Sequence, residues 1–150
     1  MSYKGIHSKF VALFSLLLTV LFVYTAVSKL NHLNIFQLRL ERMPYLSPYA
    51  SLISWGVPFL ELVIAGLLWF PKYQKLALCA SFTLMGLFTS YIILVLRYSD
   101  SIPCSCGGVI SSMGWETHLV FNACWMALAL IGIVLLENKE KKSSSKNTVQ

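Results

Sequence analysis

Hydrophobic and polar positions are segregated into long blocks along this chain. Four apolar runs, at residues 10–28, 49–70, 76–96 and 117–136, are separated by short polar segments. Each is about 18 to 22 residues long, and a helix needs about 20 to cross the hydrocarbon core of a bilayer. The third run carries no charged residue. The first and third are apolar on every side, unlike the one-sided stripe of a surface helix. Lipid offers no partner for backbone N–H and C=O groups, so such segments fold as helices that satisfy their own hydrogen bonds. The pattern predicts an all-α integral membrane protein built as a four-helix bundle.

The connections differ in character. After the first run, Leu33, Phe36, Leu40 and Met43 recur at helical spacing, with Arg39 and Arg42 between them. That pattern predicts a short helix lying in the interface or over the bundle mouth, ended by Pro44 and Pro48. The segment PKYQK at 71–75 reads as a tight turn joining two antiparallel helices. Residues 137–150 are polar and rich in lysine and serine, and read as a disordered tail. Lys4 and Lys9 precede the first run, and Ala26 and Ser28 resemble a cleavage site. Yet its apolar stretch exceeds the 7–15 residues of a signal peptide, so it reads as a retained span. The expected organisation is therefore a short N-terminus over 1–9, a four-helix domain over 10–136, and the tail.

Composition agrees with a lipid environment. Hydrophobic residues make up 57% of the 150 and charged residues only 12%, whereas soluble domains carry roughly 25% charge. Mean hydropathy is +0.68. The net charge of +6 comes from lysines scattered between apolar runs, which form no basic face and exclude nucleic acid as the expected partner. Their placement sets an orientation instead. With both termini cytoplasmic, eight of the twelve basic residues lie inside: Lys4, Lys9, Lys72, Lys75, Lys139, Lys141, Lys142 and Lys146. Lys29, Arg39, Arg42 and Arg97 lie outside. The bias favours termini inside an inner (cell) membrane. The segment joining the third and fourth runs then faces a periplasm or an equivalent oxidising compartment, where disulfides persist.

That outward segment, SIPCSCGGVISSMGWETHL at 101–119, holds Cys104 and Cys106 one residue apart. A disulfide between them closes a very small ring, and strained disulfides exchange readily. Pro103 fixes the backbone before the pair, and Gly107 and Gly108 relax it afterwards. A short helix starting at Cys106 would favour its thiolate. These features suit a couple that shuttles between dithiol and disulfide. Other readings stay open. A structural staple gains little from so short a loop. A soft-metal site would draw on Cys104, Cys106 and His118, although zinc spacing is usually C-x2–4-C with four ligands. The pair can also be idle. The function classes are accordingly a thiol–disulfide redox protein, a permease or metal-capture protein, and a structural subunit without chemistry.

Polar residues inside the apolar runs are the remaining candidates. Glu61 lies three residues after Pro58, about 12 residues into the second run, or roughly 18 Å at 1.5 Å per residue. A carboxylate there faces the protein interior and needs a partner. It reads either as a proton relay or contact to a quinone-type oxidant, or as a hydrogen bond tying helices together. His118 is a candidate base for a thiol, or an interface histidine, and shares a helix face with Asn122. Lys29 is expected to snorkel to the interface. Cys79 and Cys124 are expected to be small apolar core residues. Trp69, Tyr91, Tyr98 and Trp115 sit near span ends, as in an aromatic belt.

Three stretches together resemble the MauE-like branch of the DoxX-like membrane proteins. They are YTAVSKL closing the first run, SPYASLISWGVPFLELVIAGLLWF with its Pro58-to-Glu61 spacing, and PCSCGGVISSMGWETHLVFN before the fourth. The resemblance spans roughly 10–136. It implies a four-helix bundle associated with periplasmic disulfide chemistry, with Cys104 and Cys106 as the redox pair and Glu61 as the mid-helix carboxylate. It also implies a periplasmic thiol protein or thioredoxin-like partner, a possible quinone cofactor, and a role in producing methylamine dehydrogenase.

Overall fold

The structure, a computed structural model, describes residues 3–43, 45–98 and 115–147. All regular structure among them is helical: α1 (Tyr3–Asn31), α2 (Leu33–Glu41), a 3₁₀ turn (Ser47–Tyr49), α3 (Ala50–Trp69), α4 (Gln74–Tyr98) and α5 (Trp115–Asn147). Four segments are long and apolar enough to cross a membrane: Lys9–Asn31, Ser47–Trp69, Gln74–Leu94 and Glu116–Asn138. They coincide with the four apolar runs to within a turn. The expected membrane bundle is the fold.

Burial follows the lipid logic. Leu13, Leu17, Val20, Leu52, Phe59, Leu87 and Val120 are exposed on the outside of the bundle. In water such an apolar girdle would be a liability; in a bilayer it is the required surface. The interior is a narrow seam of Phe14, Leu18 and Phe22 from α1, Ile64 and Leu68 from α3, Leu78 and Met85 from α4, and Ala129 from α5. α1 packs along α3, and α4 along α5. Small residues let these pairs approach, because close backbone contact replaces a hydrophobic driving force in lipid. At Gly132 an added Cβ would come within 3.1 Å of Leu78 Cδ1. At the far end from α2, Gln74 Nε2 donates to Ser15 Oγ at 2.8 Å and fixes the start of α4 against α1.

α2 forms over the Leu33–Phe36–Leu40–Met43 stripe. Non-helical angles at His32 break it from α1. It ends at Glu41, before Pro44, as Arg42 N–H and Met43 N–H fold back onto the carbonyls of Arg39 and Leu40. Leu40 and Met43 are buried with Ala50 against Phe36, Ile53 and Tyr91. α2 therefore packs over one end of the bundle, on α3. Pro48 opens the 3₁₀ turn that leads into α3, rather than ending α2. α3 continues through Pro58, which is buried. Its missing N–H removes the donor that the Ser54 carbonyl would otherwise meet.

The segment expected to be a disordered tail from residue 137 is instead helical to Asn147. Glu137, Lys139, Glu140, Lys141 and Lys142 are strong helix formers, and Glu137 pairs with Lys141 one turn on at 3.7 Å. Tyr91 also departs from expectation. It is half-buried and packs inward under α2 instead of standing in an aromatic belt.

Candidate functional site

The inward stripe of α3 is Ala50, Ser54, Pro58, Glu61, Ala65 and Leu68, spaced by three and four residues. That register aims Glu61 into the bundle, where it is 2% exposed. Lys29, two residues before the end of α1, reaches it. Its Nζ donates to Oε1 at 2.7 Å and to Oε2 at 3.0 Å. The lysine side chain is 14% exposed, so it does not snorkel to the interface as expected. The reason is local. The carboxyl group of Glu61 on the neighbouring helix offers the Lys29 ammonium a double contact, and an unpaired charge on either side would be far costlier than the pair.

This contact also fixes how α1 and α3 are staggered. Beyond Glu61, α3 extends eleven residues to Ala50, about 16 Å at 1.5 Å per residue. Beyond Lys29, α1 has two residues left. The outer turns of α3 thus stand past the end of α1, and α2 covers them. A cavity of about 160 Å³ lies beneath α2, with Lys29 and Glu61 in its wall. α1 contributes Phe22 and Thr25, α2 contributes Phe36 and Arg39, Met43 comes from just beyond α2, and α4 contributes Met85, Phe88 and Ile92. α5 contributes His118, Phe121 and Asn122. The lining is largely aromatic and thioether surface with a few polar groups set into it.

Among the residues singled out from the sequence, the structure brings Glu61 and His118 to this one cavity. Asn122, on the same face one turn along, joins them and is 3% exposed. Cys104 and Cys106 lie outside the described residues. Cys79 and Cys124 are exposed free cysteines, not core residues. In lipid a small apolar side chain gains nothing from facing inward, so the expectation borrowed from soluble proteins fails there. Lys29 as the partner of Glu61, and Arg39 as a cavity residue, were not anticipated. Part of the signal for Lys29 is in the sequence: a carboxylate in an apolar run needs a polar partner, and Lys29 ends the span before it, but which way a helix-end lysine turns is not.

Four apolar helices around a buried ion pair and an adjoining cavity define a multi-pass α-helical membrane protein with polar groups set into its interior. The model of the methylamine utilisation protein MauE family matches residues 7–135, and the chain belongs to that family. It is thus a membrane protein of a family involved in methylamine utilisation. Comparison with curated proteins and with solved structures finds no match.

Proposed function

We propose that this protein is a redox accessory of the inner membrane. In this reading Cys104 and Cys106 form an outward-facing thiol–disulfide couple that introduces disulfides into an exported partner, of the methylamine dehydrogenase kind. The domain organisation is the one the sequence suggests: 1–9 and the C-terminal tail cytoplasmic, 10–136 in and across the bilayer. The carrying observation is positional. The cavity holding Lys29, Glu61 and His118 lies at the bundle end where α4 finishes and α5 begins. The CSC segment is tied to that end by chain connectivity, six residues beyond Tyr98 and nine before Trp115.

The chemistry is an exchange through a mixed disulfide. A partner thiolate attacks one sulfur of the Cys104–Cys106 bond and releases the other as a thiolate. A second partner thiolate then resolves the mixed disulfide. The partner loses two electrons and two protons as its disulfide forms, and the CSC pair gains them as two thiols. His118 is the base in reach of this end of the bundle, suited to taking a thiol proton. The dithiol returns to the disulfide by passing two electrons and two protons to a quinone-class acceptor in the bilayer, which leaves as the quinol. Membrane-buried Glu61 and Lys29 supply the polar surroundings for that transfer.

The single variants Cys104→Ser and Cys106→Ser test this directly. One of them is expected to trap the oxidised partner: its lone thiolate attacks the partner's disulfide, releases one partner thiolate, and stays joined as a mixed disulfide, seen as a reductant-sensitive band on a non-reducing gel. The double variant is expected to trap none and to lose activity of the matured partner. Full partner maturation in the double variant would overturn the reading and favour a structural subunit. Stoichiometric binding of a soft metal ion by the reduced protein, with no trapped species, would favour metal capture.

A further inference from the structure

Asn122 is a buried polar group that the bundle leaves unused. It is 3% exposed, and its Nδ2 has no hydrogen-bond partner among the described residues. Native structures leave few buried donors unpaired, and those that occur call for an explanation. Asn122 lines the cavity, so a bound acceptor atom supplies one.

Size and lining narrow the class. An apolar cavity of about 150 Å³ accommodates benzene; at about 160 Å³ this one suits a single six-membered ring. Typical pockets for larger ligands run to roughly 300–1,000 Å³. Phe22, Phe36, Phe88, Phe121, Met43 and Met85 present flat and polarisable surface to a ring. The polar groups in the wall include three donors, the Asn122 amide, Arg39 and Lys29, beside Thr25, Tyr91 and His118, which can donate or accept. The one carboxylate, Glu61, is already engaged by Lys29. A cavity of apolar rings with donors at its edge fits a neutral planar ring bearing acceptor oxygens.

We propose that the cavity binds the headgroup of a membrane benzoquinone, with one ring carbonyl accepting a hydrogen bond from Asn122 Nδ2. Asn122 is then a ligand-contact residue. The assignment rests on the redox reading above for its use in the cell, but binding itself is separable from thiol chemistry. The class that fits is shared by bilayer quinones and by soluble monocyclic ring ketones, and only the former would carry electrons here.

The test uses the full-length protein carrying Cys104→Ser, Cys106→Ser, Cys79→Ala and Cys124→Ala in detergent, where no thiol remains to add to the probe. Equilibrium dialysis against a radiolabelled benzoquinone with one isoprene unit is expected to show saturable binding of one molecule per chain. The same ring with both carbonyls replaced by methoxy groups is expected to bind roughly three- to tenfold more weakly, the usual effect of one lost hydrogen bond. Asn122→Leu is expected to weaken quinone binding by a similar factor, and Val57→Phe, which fills the cavity, to abolish saturation. Equal binding of the two rings overturns the carbonyl contact without recourse to any variant. Val57→Phe leaving the affinity unchanged overturns the cavity as the site. A tailless quinone that binds where isoprenylated forms do not overturns the assignment to a membrane carrier. Absence of saturable binding overturns the inference while leaving the mixed-disulfide experiment to decide the thiol reading.

Discussion

At the scale of single residues the account turns on Lys29 and Glu61. Removing one member of a buried ion pair leaves the other charge stranded, which costs about 3–5 kcal/mol, whereas replacing both with apolar residues of similar volume is often neutral. Glu61→Leu and Lys29→Met are each expected to destabilise the protein by an amount in that range. The double variant is expected to recover most of it. Reversible unfolding in mixed micelles measures all three; additive losses in the double variant would contradict the pairing. Cys79→Ala and Cys124→Ala are expected to shift stability by less than about 0.5 kcal/mol in the same assay, because both side chains face outward. Half of this site was legible in the sequence. Glu61 announced itself by being a carboxylate in an apolar run, and His118 and Asn122 by sharing a helix face. The direction of Lys29 was not legible, because a lysine at a helix end can turn either way, and the choice is made by what the neighbouring helix presents. The two cysteines misled for a related reason. Hydropathy marks a residue as suited to an apolar environment without saying whether that environment is protein or lipid.

Among the elements, the tightest constraint is where α4 meets α5. An added Cβ at Gly132 would meet Leu78 Cδ1 at 3.1 Å, so a bulky side chain there requires Leu78 to give way. Gly132→Leu is expected to destabilise by about 1–3 kcal/mol, typical of overpacking, and to lower the thermal midpoint of the solubilised protein. A midpoint equal to the parent's would contradict this packing. The four spans and α2 were readable from the sequence, since run length set the former and the 33–36–40–43 stripe the latter. The stripe left two placements open, in the interface or over the bundle mouth; the structure has α2 on α3 over one end of the bundle, with Leu40 and the following Met43 buried. That arrangement depends on the stagger imposed by the Lys29–Glu61 contact, which spans 32 residues of sequence. Helix continuing through Lys141 was also hidden, because polar composition suggests disorder, whereas helix-forming residues and an i,i+4 pair continue α5.

For the molecule as a whole, the proposed orientation has both termini cytoplasmic, on the strength of where the lysines fall in the sequence. In that proposal the CSC segment meets the oxidising compartment. A cysteine introduced at Ser145 is expected to react with an impermeant maleimide only after lysis; labelling in intact cells would invert the topology. The central claim is that Cys104 and Cys106 interconvert between dithiol and disulfide on that outer face. Maleimide-mass tagging of intact cells before and after an impermeant reductant, with Cys104→Ser, Cys106→Ser as the baseline, tests it most directly. The account predicts two added tags that appear only after reduction and disappear on reoxidation. Tagging that is the same with and without reductant, or that requires lysis, would contradict it.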